Sequence, residues 1–132
     1  MKRIFFLCAL VISFQCLSAE IEKKGNYEVG MNESPLEGVK FSFIEANGIK
    51  MRLAEMGEGP LVLLAHGWPE SWYSWRHQMV GLSKAGFRVI APDMRGYGKT
   101  DAPSEIDLYD IKHLTADMVG ILDALGEATA SI

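Results

Sequence analysis

The segment Ala65-His66-Gly67-Trp68-Pro69-Glu70-Ser71-Trp72 combines residue types that can do chemistry through the backbone. It stands where a short apolar run gives way to a helical pattern. Gly67 is expected to let the chain turn sharply without a Cβ clash. Pro69, with a fixed φ and no N–H, stiffens that turn. A stiff loop here aims the backbone N–H of Trp68 above the carboxyl end of a strand, where open α/β sheets bind ligands. A fixed N–H donor can stabilise negative charge on a reacting oxygen. The bland alternative is a plain strand-to-helix loop with a conformational glycine and proline. His66 reads as a residue that orients the loop from beneath, in preference to a base, and the ring of Trp68 reads as pocket lining.

The other candidates offer less. His77 and His113 fall on amphipathic helical patterns and read as surface or half-buried side chains. No His-Glu-x-x-His or comparable spacing links the three histidines, so no zinc site is expected. Gly98-Lys99-Thr100 resembles the tail of a phosphate loop, but Asp93 occupies the position of its upstream glycine. Asp93 and Arg95 are expected to fix a long loop by local hydrogen bonds. Trp72, Tyr73 and Trp75, at helical spacing, read as core.

The elements that must position these residues alternate between strand and helix. Val39 to Ala46 and Ile49 to Met56 read as an antiparallel pair joined at Asn47-Gly48, a strong hairpin turn. Leu61 to Ala65 is continuously apolar, as expected of a strand buried on both faces. Ser71 to Ala85 places Trp72, Trp75, Met79 and Leu82 at helical spacing and stops at Gly86. Arg88 to Ala91 is a further short strand, and Pro92 to Tyr109 a long glycine-containing loop. Ile111, Leu114, Met118, Ile121, Leu122 and Leu125 mark a second amphipathic helix, capped by Asp110 and stopped by Gly126. Ala128 to Ile132 begins another strand. A hairpin followed by βαβα predicts an α/β fold with helices covering the parallel part of the sheet.

Composition narrows the function classes. The chain has 132 residues, 48% apolar and 23% charged, which is ordinary globular composition and excludes fibrous and disordered classes. Lys2 and Arg3, the apolar run from Ile4 to Phe14, and Ser18-Ala19 form the pattern of a removable export signal over residues 1–19. The apolar run is too short to span a bilayer. The expected location is therefore secreted or periplasmic, with a membrane anchor as the alternative if the signal is not cleaved. Residues 20–36 read as a lead-in loop. The net charge is −4, and −6 once the cations Lys2 and Arg3 leave with the signal, which argues against nucleic-acid or anionic-membrane partners. Cys8 and Cys16 both lie inside the signal, so disulfides, thiolate metal sites and cysteine nucleophiles are not expected in the mature chain. The sequence says nothing about oligomeric state. Asn32-Glu33-Ser34 fits a glycosylation sequon, which matters only in a eukaryotic secretory route.

The string from His66 to Gln78 closely resembles the opening motif of the epoxide hydrolases, a branch of the α/β-hydrolase fold. Ala91-Pro92-Asp93-Met94-Arg95-Gly96-Tyr97-Gly98-Lys99-Thr100-Asp101-Ala102-Pro103 is similar to that family's second motif, and Leu122-Asp123-Ala124-Leu125-Gly126 to the end of its following helix. The resemblance covers residues 37 to 127. It implies the N-terminal half of an α/β-hydrolase sheet over residues 37–132, ending in an incomplete fifth strand. It also implies that the Trp68 N–H is one of two oxyanion donors, with His66, Gly67 and Pro69 as the supporting motif. Dehalogenases and some esterases share both motifs in looser form. Many haloalkane dehalogenases place Asn or Glu directly after His-Gly, where this chain has Trp68.

The resemblance implies a small hydrophobic substrate such as an epoxide. A carboxylate opens the ring and becomes an ester, and water activated by a His–acid pair hydrolyses that ester, with no metal or organic cofactor. The sequence departs from the family in one large respect. It contains no Gly-x-[Ser/Asp]-x-Gly elbow to carry the nucleophile. The chain is accordingly expected to be truncated before the elbow and inactive alone. A non-catalytic secreted half-domain is the competing class. It is disfavoured because an apolar strand left at a sheet edge is an aggregation hazard.

Overall fold

A computed structural model describes residues 36–132. The export signal, nearly all of the lead-in loop and the glycosylation triplet lie outside the described residues.

Strands β1 (Lys40–Ala46) and β2 (Ile49–Met56) form the expected hairpin, with Lys40 opposite Glu55 and Ala46 opposite Ile49. Its turn uses positive φ at both Asn47 (49°) and Gly48 (77°), the conformation that makes Asn-Gly the favoured pair for a two-residue connection. Strand β3 (Leu61–Leu63) pairs parallel with β4 (Arg88–Pro92), and β4 pairs antiparallel with β2. The sheet order is β1-β2-β4-β3. Ser131 adds a parallel bridge to Val62, with Leu63 N donating to Ser131 O at 2.8 Å and Ser131 N to Leu61 O at 3.1 Å. A strand thus begins beside β3, as the residues from Ala128 onward suggest.

Side chains alternate across this sheet with the two-residue period of strands. Ile49, Met51 and Leu53 of β2, Leu61 and Leu63 of β3, and Ile90 of β4 pack with Met118 and Ile121 of helix α2 (Ile111–Leu125). On the opposite face Ala54, Met56, Val89 and Ala91 pack with Trp72 and with Met79 of helix α1 (Arg76–Lys84). A helix on each face explains why β3 reads as an unbroken apolar run.

Two expectations are corrected. Ser71 to Ala85 is not one helix: a 3₁₀ turn spans Trp72–Trp75 and α1 starts only at Arg76. The Ser71 hydroxyl accepts from Tyr73 N, while Trp72 N points to Asp93 at 3.4 Å, so the first turn is held from outside the helix. Of its aromatics, Trp72 is buried and Tyr73 is exposed. The long loop after β4 also contains a 3₁₀ turn (Ile106–Tyr109). Helix α2 matches its expected bounds, with Asp110 accepting from His113 N and Gly126 closing it in the left-handed conformation.

Candidate active site

The two loops leaving the carboxyl ends of β3 and β4 lie together. The first contains the motif. His66 is buried at 6% exposure, whereas Gly67, Trp68, Pro69 and Glu70 are exposed, Trp68 to 83%. The Trp68–Pro69 peptide is cis and lies in a turn closed by Glu70 N donating to Gly67 O at 3.2 Å. The expectation for Gly67 is corrected. Its φ is not positive, and among the described residues no atom beyond its two chain neighbours lies within 4 Å of where a Cβ would stand. The turn does not require a glycine, and among the described residues the space over Gly67 is open.

The Trp68 N–H donates to no acceptor among the described residues. The carbonyl of the same peptide unit, Gly67 O, accepts from Glu70 N and stands 2.8 Å from His66 Nδ1. His66 Nε2 in turn lies 3.0 Å from Met94 N, and the ring meets Tyr97 edge-to-face at 5.0 Å. A backbone N–H can only donate and a carbonyl can only accept. The network therefore assigns His66 the neutral tautomer with its proton on Nδ1. Both nitrogens are engaged with backbone groups.

The second loop supplies that backbone. Asp93, fully buried, accepts from Arg52 Nε at 2.7 Å, Arg52 Nη2 at 2.6 Å and Lys99 N at 3.1 Å. Thr100 Oγ1 donates to Asp93 O at 2.7 Å and accepts from Arg52 N at 2.9 Å. Lys50 and Asp101 exchange further bonds, Lys50 N to Asp101 Oδ2 and Asp101 N to Lys50 O. The loop is thereby stitched to β2 along Lys50–Arg52.

Arg95 and Asp93 do more than make local bonds. Arg95, at 2% side-chain exposure, forms a two-pronged ion pair with fully buried Asp117 on α2, with Nε–Oδ2 at 2.9 Å and Nη2–Oδ1 at 2.5 Å. Asn47 Nδ2 donates to Asp117 Oδ1 at 2.8 Å, so the hairpin, the second loop and α2 meet at one carboxylate. Hydrogen bonding to Asp117 raises the Arg95 guanidinium above its ordinary range, against the opposing effect of burial. Asp117 was not singled out as a candidate from the sequence. Its signal is positional, since a carboxylate three residues after Leu114 and one before Met118 falls on the apolar face of the helix and needs a cation.

His77 is exposed, and His113 is half-buried on α2, where its backbone carbonyl accepts from Asn47 Nδ2 at 3.4 Å. Among the described residues no group of three or more His, Cys, Asp or Glu side chains is placed to hold a metal, and no helix is long and apolar enough to cross a membrane.

Comparison with known proteins places this junction in context. The family model described as the alpha/beta hydrolase fold matches residues 60–130. Epoxide hydrolase 3 of Siraitia grosvenorii is 53% identical over 91 residues, which is 69% of this chain and 29% of that protein. Epoxide hydrolase A of Mycobacterium tuberculosis is 52% identical over 89 residues, 66% of this chain and 28% of that protein. The crystal structure of an epoxide hydrolase from Vigna radiata superposes with a TM-score of 0.70 at 52% identity, covering 74% of this chain and 30% of the other. The chain thus spans about three-tenths of the length of the relatives it matches. By this match across most of its described residues, the chain belongs to the alpha/beta hydrolase fold family, and within that family it is similar to the epoxide hydrolases.

Proposed function

We propose that this chain carries the oxyanion side of an epoxide hydrolase active site, with the Trp68 N–H as a donor. The reading is supported by one geometric observation above all. The Trp68 N–H has no acceptor among the described residues, while the carbonyl at the other edge of its peptide is held by His66 and Glu70. A donor of this kind stabilises the oxygen charge that develops when water attacks an ester. The ester itself arises when a carboxylate opens the strained ring of an epoxide, and its hydrolysis releases a diol. The names of the similar proteins support this reaction over dehalogenation or simple ester hydrolysis.

Gly67 fits the same reading. Among the described residues nothing beyond its chain neighbours lies within 4 Å of a Cβ built there, which leaves room for a bound molecule close to the backbone. The exposed Trp68 ring offers an apolar wall to a small hydrophobic substrate. The sequence provides no elbow nucleophile, so these 132 residues alone turn over no epoxide. The N-terminal run directs export.

The test is a chimaera in which the matched 91-residue segment of this chain replaces its counterpart in the Siraitia grosvenorii enzyme. The expected result is hydrolysis of styrene oxide to its diol, and a loss of roughly 100-fold in kcat on Trp68→Pro, which deletes the donor. A folded chimaera that cleaves p-nitrophenyl esters or releases halide while leaving styrene oxide intact would overturn the epoxide assignment. Turnover of styrene oxide by the 132-residue chain alone would overturn the claim of inactivity.

A further inference from the structure

We propose that Asn47 is a site of spontaneous covalent modification: its carboxamide is lost through attack by the Gly48 nitrogen, and the carboxylate formed breaks the junction at Asp117. Asn47 and Gly48 are both exposed at the tip of the hairpin between β1 and β2. No other asparagine of the chain is followed by glycine, since Asn26 precedes Tyr27 and Asn32 precedes Glu33. A glycine has no side chain to shield its nitrogen. Among the described residues no atom beyond its chain neighbours lies within 4 Å of a Cβ built on Gly48.

The reaction needs only base and water. Base takes the proton from Gly48 N, which attacks Asn47 Cγ. The N–Cγ bond forms, the Cγ–Nδ2 bond breaks, and Nδ2 leaves as ammonia. Water then opens the cyclic imide at one of its carbonyls. Opening at the side-chain carbonyl leaves aspartate. Opening at the main-chain carbonyl leaves isoaspartate, whose backbone runs through the former side chain.

The leaving nitrogen is the atom that the fold holds. Asn47 Nδ2 donates to Asp117 Oδ1 at 2.8 Å and to His113 O at 3.4 Å, so both of its protons are spent on α2. The amide carbon can reach Gly48 N only when these bonds open, and the folded chain reacts through its open fraction.

Once formed, the product cannot close the junction again. Aspartate suits the turn itself, because Asp-Gly serves a two-residue hairpin as Asn-Gly does. The damage lies across the junction. A carboxylate has no proton to donate, and it faces the fully buried carboxylate of Asp117, which Arg95 already pairs. Isoaspartate lengthens the backbone of a turn that α2 approaches closely. A Cβ on Gly120 would stand 3.0 Å from Asn47 N and 3.2 Å from Ala46 Cβ. A transient opening is thereby made permanent, and the hairpin is released from α2.

Two measurements test this. The first incubates the 132-residue chain in mildly alkaline buffer, folded and in urea, and follows amide loss by peptide mass spectrometry. Conversion to aspartate and isoaspartate is expected at Asn47, about tenfold more slowly in the folded chain than in urea. An Asn47 that stays intact, or that converts as fast folded as unfolded, overturns the proposal. The second measurement compares the melting temperature of Asn47→Asp with that of the parent chain. The variant is expected to melt about 4–8 °C lower, from the lost donor and the like charge at Asp117. A difference under about 1 °C overturns the claim that the new carboxylate breaks the junction. Should the variant fail to fold, the same comparison is made between converted and unconverted parent chain, separated by their difference in charge, and the same two outcomes decide it.

Discussion

The loops that follow the parallel strands β3 and β4 differ in where their polar groups go. After β3, residues 67–70 are exposed and share a single internal backbone bond, with the Trp68 N–H unused among the described residues. After β4, residues 92–95 are buried, and the loop is bonded to β2 through Arg52, Thr100 and Asp101 and to α2 through Arg95. A backbone donor can serve a ligand only if the protein does not already satisfy it. A loop that keeps such a donor free has correspondingly few bonds with which to hold itself. The second loop is over-determined, and through Met94 it lends its rigidity to the first.

The largest way to break this comparison is to remove the anchor of the rigid loop. Asp117→Ala leaves Arg95 charged and buried with no carboxylate and leaves Asn47 Nδ2 only its longer bond to His113 O. The expected loss is about 3–5 kcal/mol in urea unfolding. A loss under about 1 kcal/mol would show that Arg95 reaches water and that the second loop is not clamped to α2. The double replacement Arg95→Met with Asp117→Leu should recover much of the loss, since well-packed apolar side chains often match a buried ion pair.

A smaller and sharper contrast comes from one methyl group placed in each loop. Gly98 has φ +55°, and a Cβ there collides with the Asp93 carboxylate, which is held at both oxygens. Gly98→Ala is expected to cost about 1–3 kcal/mol, because neither the backbone nor the buried acid can give way. Gly67→Ala meets nothing within 4 Å at an ordinary φ, so its stability should change by no more than about 0.5 kcal/mol. Paired thermal melts of the two variants check this. Similar destabilisation by both would remove the distinction between a packed loop and an open one. In the chimaera, Gly67→Ala should nonetheless raise KM if a substrate lies against that backbone.

Local signals in the sequence account for what could be read from it. Asn47-Gly48 specified the hairpin because the pair tolerates φ > 0 at both positions. Asp110 and Gly126 bounded α2 because a cap is decided within four residues. The buried strand β3 was legible in its apolar run. The polar junction was not legible in the same way. Arg95 and Asp117 are 22 residues apart and Arg52 and Asp93 are 41 apart, with no periodic pattern linking either pair. Their meeting follows from strand order and register, which a single sequence does not encode locally. Gly67 is the instructive error. The residue type suggested a backbone demand, whereas the structure gives it no positive φ and places no described residue beyond its chain neighbours within 4 Å of a Cβ there.

The mildest test concerns the end of the rigid loop, where Asp110 hands over to α2. Its carboxylate accepts from His113 N at 2.8 Å and lies 2.7 Å from His113 Nδ1. The backbone bond from His113, followed by the side-chain one, holds this carboxyl below the ordinary aspartate value. A carboxyl whose pKa is lower when folded contributes stability above its unfolded pKa. That contribution fades as the pH falls from about 4 through the lower folded value. Asp110→Asn keeps a cap acceptor but removes the charge, so it should lack this acid-dependent loss. The difference in melting temperature between the parent and Asp110→Asn should therefore shrink as the pH is lowered from about 5 towards 2. The group is exposed, and the change should be the smallest of those expected here. A difference that stays constant or widens on acidification would mean that the cap is not held by charge. The stiffness of the second loop would then have to end before Asp110, at the bonds of Arg95 and Thr100.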